Sequence, residues 1–264
     1  MFAVTLHRSV LTRDRISQLY QAHSFAQTSL SSSENLEFVH KWSGLRRNYE
    51  KNELTVPERI NFLSKHPLSR EQLFVSVGGS RSPNVESFLQ AHRICSQISE
   101  MGCILISGGV PGIDLAAHLA AIDRKRHELL TIAVLANPVE FGLSGHQFNS
   151  PTIAGGIESS GAYLSEYDES VEVNSAEFLE RLLQRDRIIS AISNVFIAFE
   201  CSVDSATVDT ARRARLQGKT VLAVKPPIKT GRKGVEQILE EGIASPFLSP
   251  KDIVRAASEN HIAS

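Results

Sequence analysis

Aromatic residues are scarce in this chain of 264 residues, at 6%, and Trp42 is the single tryptophan. A row of exposed stacking platforms for nucleobases is therefore not expected, and contacts with a polynucleotide should fall on phosphates. Neither sign of charge is in excess, because 28 Lys and Arg stand against 29 Asp and Glu, a net charge of −1. That balance excludes a protein that coats nucleic acid indiscriminately, so an anion site must be local. Cysteine is also sparse: Cys95, Cys103 and Cys201 lie far apart with no metal-ligand spacing. They read as packing thiols in a reducing compartment. No stretch reaches the roughly 20 consecutive apolar residues of a membrane span, and Met1 to Thr12 lacks a secretory apolar run. The expectation is a cytoplasmic protein with no membrane partner.

What is present is an ordinary globular composition, 42% hydrophobic and 22% charged, enough for one large core. Residues 1–70 are polar, with a cluster at Ser29, Ser31, Ser32 and Ser33 and amphipathic stretches around Ile16 to Ala26 and Glu34 to Trp42. They read as a small helical amino-terminal appendage. From Phe74 the pattern changes to short β-branched apolar runs: FVSVGG at 74, CILISG at 103, TIAVLA at 131, AYLSEY at 162, VFIAFE at 195 and TVLAVK at 220. These are expected to be buried parallel strands. Helical segments separate them, clearest at Pro83 to Met101, where Val85, Phe88, Leu89, His92, Cys95 and Ile98 recur at helical spacing behind a cap at Ser82 and Pro83. Strands alternating with helices specify an α/β fold, an open, mostly parallel doubly wound sheet over residues 71–249, followed by a tail at 250–264. Its ligand crevice should lie at the carboxyl ends of the strands.

Two of those strands run into glycine-rich turns, Gly78-Gly79-Ser80-Arg81 and Ser107-Gly108-Gly109-Val110-Pro111-Gly112-Ile113-Asp114. Glycine admits positive φ and the close approach of a ligand, and the first N–H groups of the following helix lack partners. A phosphate is the expected occupant, with Arg81 supplying a planar cation. Asp114 and His118 share a helix face, but no third ligand accompanies them at metal spacing. They read as a first-turn acceptor and a packed histidine.

In order and spacing, VGGSR, ISGGVPGIDLAAH, LSEY, LLQRDRIISAIS and ECSVDSATVDTA resemble the DNA-processing protein A (DprA/Smf) family, within the broader superfamily that also holds the lonely-guy enzymes. The resemblance covers about Leu73 to Ala244. It implies an extended Rossmann-like fold that binds single-stranded DNA, commonly as a homodimer, and helps load a recombinase; from the residues themselves, no cofactor, metal or catalytic residue is expected. Carried over by position, the first loop's residues are Gly79, Ser80 and Arg81, and the second loop's are Ser107, Gly108, Gly112 and Asp114. The paired arginines fall on Arg185 and Arg187, which stand about 200° apart on a helix and so cannot both face one ligand. Glu166 ends a strand, Ser205 and Thr207 could donate to a phosphate, and Lys225 stands in a turn where the family has proline. The family's arginine-asparagine-arginine is Arg185-Asp186-Arg187 here, and its serine-glycine is Ser205-Ala206.

Charge is unevenly distributed. From Arg212 to Lys233 there are eight basic residues and no acid, whereas Glu158 to Glu180 holds seven acids and no base. The basic run is expected to wall the crevice. The rival reading is a nucleotide sensor or a phosphoribohydrolase of the lonely-guy kind, but those enzymes use a Pro-Gly-Gly-x-Gly-Thr loop where Glu200 to Thr210 has no glycine. Glu200, ending a buried strand, is the acid best placed for such chemistry. No Gly-x-Gly-x-x-Gly fingerprint, no Gly-x-Ser-x-Gly elbow and no paired carboxylates in the crevice stand out.

Overall fold

The computed structural model describes residues 7–11, 57, 60–66, 73–124, 128–143 and 151–262. Their strands form one nine-stranded sheet: β1 His7–Leu11, β2 Ile60–Ser64, β3 Phe74–Gly78, β4 Ile104–Gly108, β5 Thr131–Val134, β6 Gly161–Ser165, β7 Val195–Ala198, β8 Thr220–Ala223 and β9 Ser245–Pro246. Its order is β1-β2-β6-β5-β4-β3-β7-β8-β9. Pairing is parallel from β6 through β9, and β1 and β2 add an antiparallel edge. All six apolar runs that begin at Phe74 are strands of this sheet, as their β-branched composition requires.

The helices are α1 Val85–Glu100, α2 Ile113–Ile122, α3 Val139–Leu143, α4 Pro151–Ser160, α5 Ala176–Ala191, α6 Ala206–Leu216, α7 Gly234–Glu240 and α8 Lys251–Ile262. Alternate residues of each strand divide between the faces. Val75, Val77, Leu105, Val195 and Ile197 pack under α1, α2 and α8, in one cluster with Ile94, Cys95, Ala116 and Ile253. Phe74, Ile104, Ile106, Ile132 and Val134 pack under α5 through Ile188 and Ile189. Farther along the same face, Phe196 and Ala198 meet Val208 and Ala211 of α6 and Val235 of α7. Both faces are covered, and a central parallel sheet is stable only in that state.

Three expectations are corrected here. Where residues 1–70 are described they are not a helical appendage, because β1 and β2 are hydrogen-bonded members of the main sheet. Asn61, Phe62 and Ser64 of β2 are buried there. The two expected helices within residues 16–42 lie outside the described residues. Residues 250–264 are more than a tail, since Ile253 and Ala256 of α8 are core residues. Finally, α1 is capped by Asn84, whose side chain accepts from the Ser87 N–H at 2.8 Å. Its buried face is Ser87, Ala91, Ile94, Cys95, Ile98 and Ser99, leaving Val85 and Leu89 exposed. The serines complete an apolar stripe that a hydrophobicity count assigns to the neighbouring face.

Candidate nucleic-acid interface

The chain after β3 continues outward to β4, β5 and β6, then returns through α5 to place β7 on the other side of β3. The crevice of a doubly wound sheet opens at such a reversal, between the carboxyl ends of the two strands. A cleft of about 50 Å³ lies there, lined by Gly78 at the end of β3, Gly79 and Arg81 just after it, Asp114 of α2, Arg185 and Asp186 of α5, and Thr207 and Thr210 of α6. Val77, Val110, Ile189 and Phe196 supply its apolar backing. Pockets that enclose a drug-sized ligand hold roughly 300–1,000 Å³. This one admits a single functional group and cannot enclose a nucleotide.

The two glycine loops are locked into one unit. Ser80 donates its N–H to the Glu200 carbonyl at 2.7 Å, and its own carbonyl accepts from the Ile113 N–H at 3.0 Å. Gly112, with φ at +89°, tucks under this link, where a Cβ would stand 2.2 Å from the Ser80 oxygen. A Cβ on Gly79 would meet Ile113 Cγ1 at 2.5 Å. The space that sequence reading gave to an approaching ligand is taken at both glycines by the protein itself. The second loop is anchored from below: Ser107 Oγ donates to the Val77 carbonyl at 2.7 Å. Fully buried His118 donates from Nε2 to the Gly108 carbonyl at 2.8 Å and holds Nδ1 2.7 Å from Thr131 Oγ1. Burial lowers the imidazole to about 4, so this ring stays neutral.

The paired arginines part company as their helical spacing requires. Arg187 closes on Glu166 with two parallel contacts, Nη1 to Oε1 at 2.7 Å and Nη2 to Oε2 at 2.5 Å. Arg185 turns into the sheet, 3% exposed, where Nη1 donates to the Val134 carbonyl at 2.5 Å and Nε lies 2.9 Å from Asp186 Oδ1. Its guanidinium occupies the place a Cβ on Gly108 would need, 2.1 Å from Nη1.

Asp186 is the site residue that sequence reading missed. It shares the cleft with Asp114, so paired carboxylates are present after all, brought together from α5 and α2. The sequence did carry a signal, since Leu182, Arg185, Asp186 and Ile189 follow the spacing of the inward face of α5. Burial raises Asp114 to about 6, opposed by Arg185 and Arg81 and by the Ser107 hydroxyl, and reinforced by Asp186. Burial also raises Asp186, against the pull of Arg185, Arg213 and Arg81. Thr210 was likewise not singled out, although it stands one turn after Thr207 on the cleft side of α6.

Glu200 is a tie between segments. Its buried carboxylate accepts from Asn84 Nδ2 and pairs with Arg232 Nη1, while Arg232 Nη2 reaches Ser82 Oγ at 3.3 Å. The chain after β8 is thereby pinned to the rim of the first loop. Of the eight basic residues from Arg212 to Lys233, three turn inward. Arg212 pairs with Glu241 at 3.0 Å, Arg213 donates to the Leu183 carbonyl at 2.7 Å, and Lys219 is 1% exposed, its ammonium lowered to about 7 by burial. Arg215, Lys225, Lys229 and Lys233 remain exposed. The basic wall is thus a strip along the β8–α7 connection. Arg81, also exposed, makes no hydrogen bond or ion pair among the described residues.

Gly79, Arg81, Asp114, Arg185 and Thr207 thus meet at one cleft, with Gly108 and Gly112 shaping it from behind. Ser205 begins α6 without a side-chain cap bond, Lys225 lies on the strip, and Arg187 with Glu166 stands outside the lining. No helix among the described residues is long and apolar enough to cross a membrane.

Protein Smf of Escherichia coli is 31% identical over 180 residues, covering 67% of this chain and 45% of that protein. A putative DNA processing protein DprA of Mycobacterium tuberculosis is 29% identical over 169 residues, 63% of this chain and 41% of its own length. The chain therefore spans less than half the length of these curated relatives. Among solved structures, DNA processing protein A from Helicobacter pylori, described for its single-stranded DNA binding mode, superposes with a TM-score of 0.63 at 21% identity, covering 81% of this chain and 94% of that one. The Streptococcus pneumoniae protein gives 0.62 at 20% identity, over 92% and 97%. The model of the family of DNA recombination-mediator protein A matches residues 55–258, and the chain belongs to that family.

Proposed function

We propose that this protein binds single-stranded DNA by its phosphates, without enclosing the bases, in support of DNA processing or recombination. The observation that carries this reading is Arg81, exposed and unpaired among the described residues at the rim of the switch-point cleft. The Glu200–Arg232 tie brings the Lys225, Lys229 and Lys233 strip to the same rim. A strand laid from the cleft along the strip would meet a succession of cations, while a duplex would present a wider and stiffer backbone. The relative from Helicobacter pylori binds single-stranded DNA, which supports the assignment. Cytoplasmic action, pairing with a second copy and loading of a recombinase are further parts of the proposal, to be read by fractionation, sedimentation and co-purification.

The test is anisotropy of a labelled oligothymidylate titrated with the full chain over a range of salt. If about four phosphates are engaged, log affinity should fall with log salt at a slope near −3, using roughly 0.7 per phosphate. Arg81→Ala should weaken binding by about 1–3 kcal/mol with an unchanged circular dichroism spectrum. Salt-independent binding, or an Arg81→Ala variant equal to wild type, overturns the reading.

A further inference from the structure

The charges lining the cleft are balanced in a way that restricts which anion it can take. Arg81 and Arg185 face Asp114 and Asp186 across the same small space. Arg185 is already engaged, by the hydrogen bond from Nη1 to the Val134 carbonyl and by an ion pair of Nε with Asp186 Oδ1 at 2.9 Å that lacks hydrogen-bond geometry. Asp114 is 7% exposed and shares the cleft wall with Asp186, each carboxylate within electrostatic reach of Arg81. The lining therefore offers one cation without a hydrogen bond or close ion pair among the described residues, Arg81, and two carboxylates that share its field and repel whatever anion it attracts.

A phosphate group entering such a cleft leaves most of its water behind, so each of its negative charges needs a partner. A phosphodiester carries one, shared by its two non-bridging oxygens while the other two are esterified. A phosphate monoester carries close to two near neutral pH, since its second ionisation lies near 6. The second charge finds no cation and two carboxylates. The Thr207 hydroxyl can donate to either ligand and does not discriminate, while Thr210 Oγ1 already donates to the Ala206 carbonyl at 2.7 Å.

Resting on the reading of this cleft as the phosphate site, we propose that it selects the internal phosphodiester of a DNA strand against terminal phosphates and free nucleotides, with Asp186 as the residue that enforces the selection. Asp186 does so by holding Arg185 in place and cancelling its charge. The protein then engages strand interiors and is not drawn off by the cellular pool of mononucleotides.

The test is competition against labelled oligothymidylate bound to the full chain at pH 7.5 and low salt. The competitors are thymidine 5′-monophosphate and its methyl phosphodiester, which differ by one methyl group and one charge. The methyl ester should compete at about tenfold lower concentration, the ratio set by roughly one unmet charge in a partly solvated site. Asp186→Asn, checked for folding by its thermal melt, should narrow the ratio to about twofold, chiefly by improving the monophosphate. A monophosphate that competes as well as the methyl ester in wild type overturns the selectivity even if the variant does not fold. So does a ratio that a folded Asp186→Asn leaves unchanged. Failure of the oligonucleotide to bind in an Arg81-dependent manner would instead remove the phosphate site itself.

Discussion

Gly108 and Arg185 are fitted to each other so closely that a methyl group on the glycine would stand 2.1 Å from the guanidinium nitrogen Nη1. The glycine at the end of β4 is a seat for a buried cation, and that cation in turn orders Asp186 and the floor of the cleft.

Gly108→Ala should accordingly destabilise the protein by at least about 3 kcal/mol, the usual cost of breaking a buried ion pair. Gly155 provides the control. It lies within α4, and a Cβ added there would meet nothing within 4 Å, so Gly155→Ala should gain roughly 0.5–1 kcal/mol. Urea unfolding of the two variants separates a steric seat from a general preference for glycine, and equal effects would refute the seat.

Arg187 and Arg81 should show opposite phenotypes. Arg187 spends both terminal nitrogens on Glu166, and a double-mutant cycle with Glu166→Gln should give a coupling of about 1–3 kcal/mol in stability. Its loss should alter oligonucleotide affinity less than the loss of Arg81 does. The reverse ranking, measured by the same anisotropy titration, would mean that Arg187 leaves Glu166 for DNA.

The pH dependence of stability should expose Asp114. Its folded value, raised to about 6 from 3.8, means that the fold favours the protonated acid. The stability this confers is complete below the unfolded value and is lost as pH rises through 6. Asp114→Asn removes the penalty and should be more stable than wild type by about 3 kcal/mol at pH 7.5, with the gap falling to about half at pH 5. His118 runs the other way. Lowered to about 4 from 6.5, it contributes stability above the unfolded value that is lost as pH falls through 4, and this is common to both proteins. Urea midpoints at the two pH values decide the matter, and a gap independent of pH would count against a buried carboxyl.

The six apolar runs from Phe74 to Lys225 determined six strands, and the helices between them determined a doubly wound sheet with a crevice at its strand ends. Local composition carries that information, because a buried parallel strand must be apolar on both faces. The position of Arg81 and of the glycine loops at strand ends was legible in the same way, but not that Ile113 and the Ser80 backbone fill the space at Gly79 and Gly112. Two other things depended on the tertiary structure. One was the placement of β1 and β2: short strands on an antiparallel edge draw their stability from β6, a partner distant in sequence, and leave little local pattern. The other was the sign of each charge's contribution. Arg212, Arg213 and Lys219 look like the exposed Lys225, Lys229 and Lys233 when read along the chain, yet they point inward to partners or burial that only packing supplies. Asp114 and Asp186 became a pair for the same reason: α2 and α5 converge on one cleft from separate crossovers, and electrostatic coupling depends on distance in space.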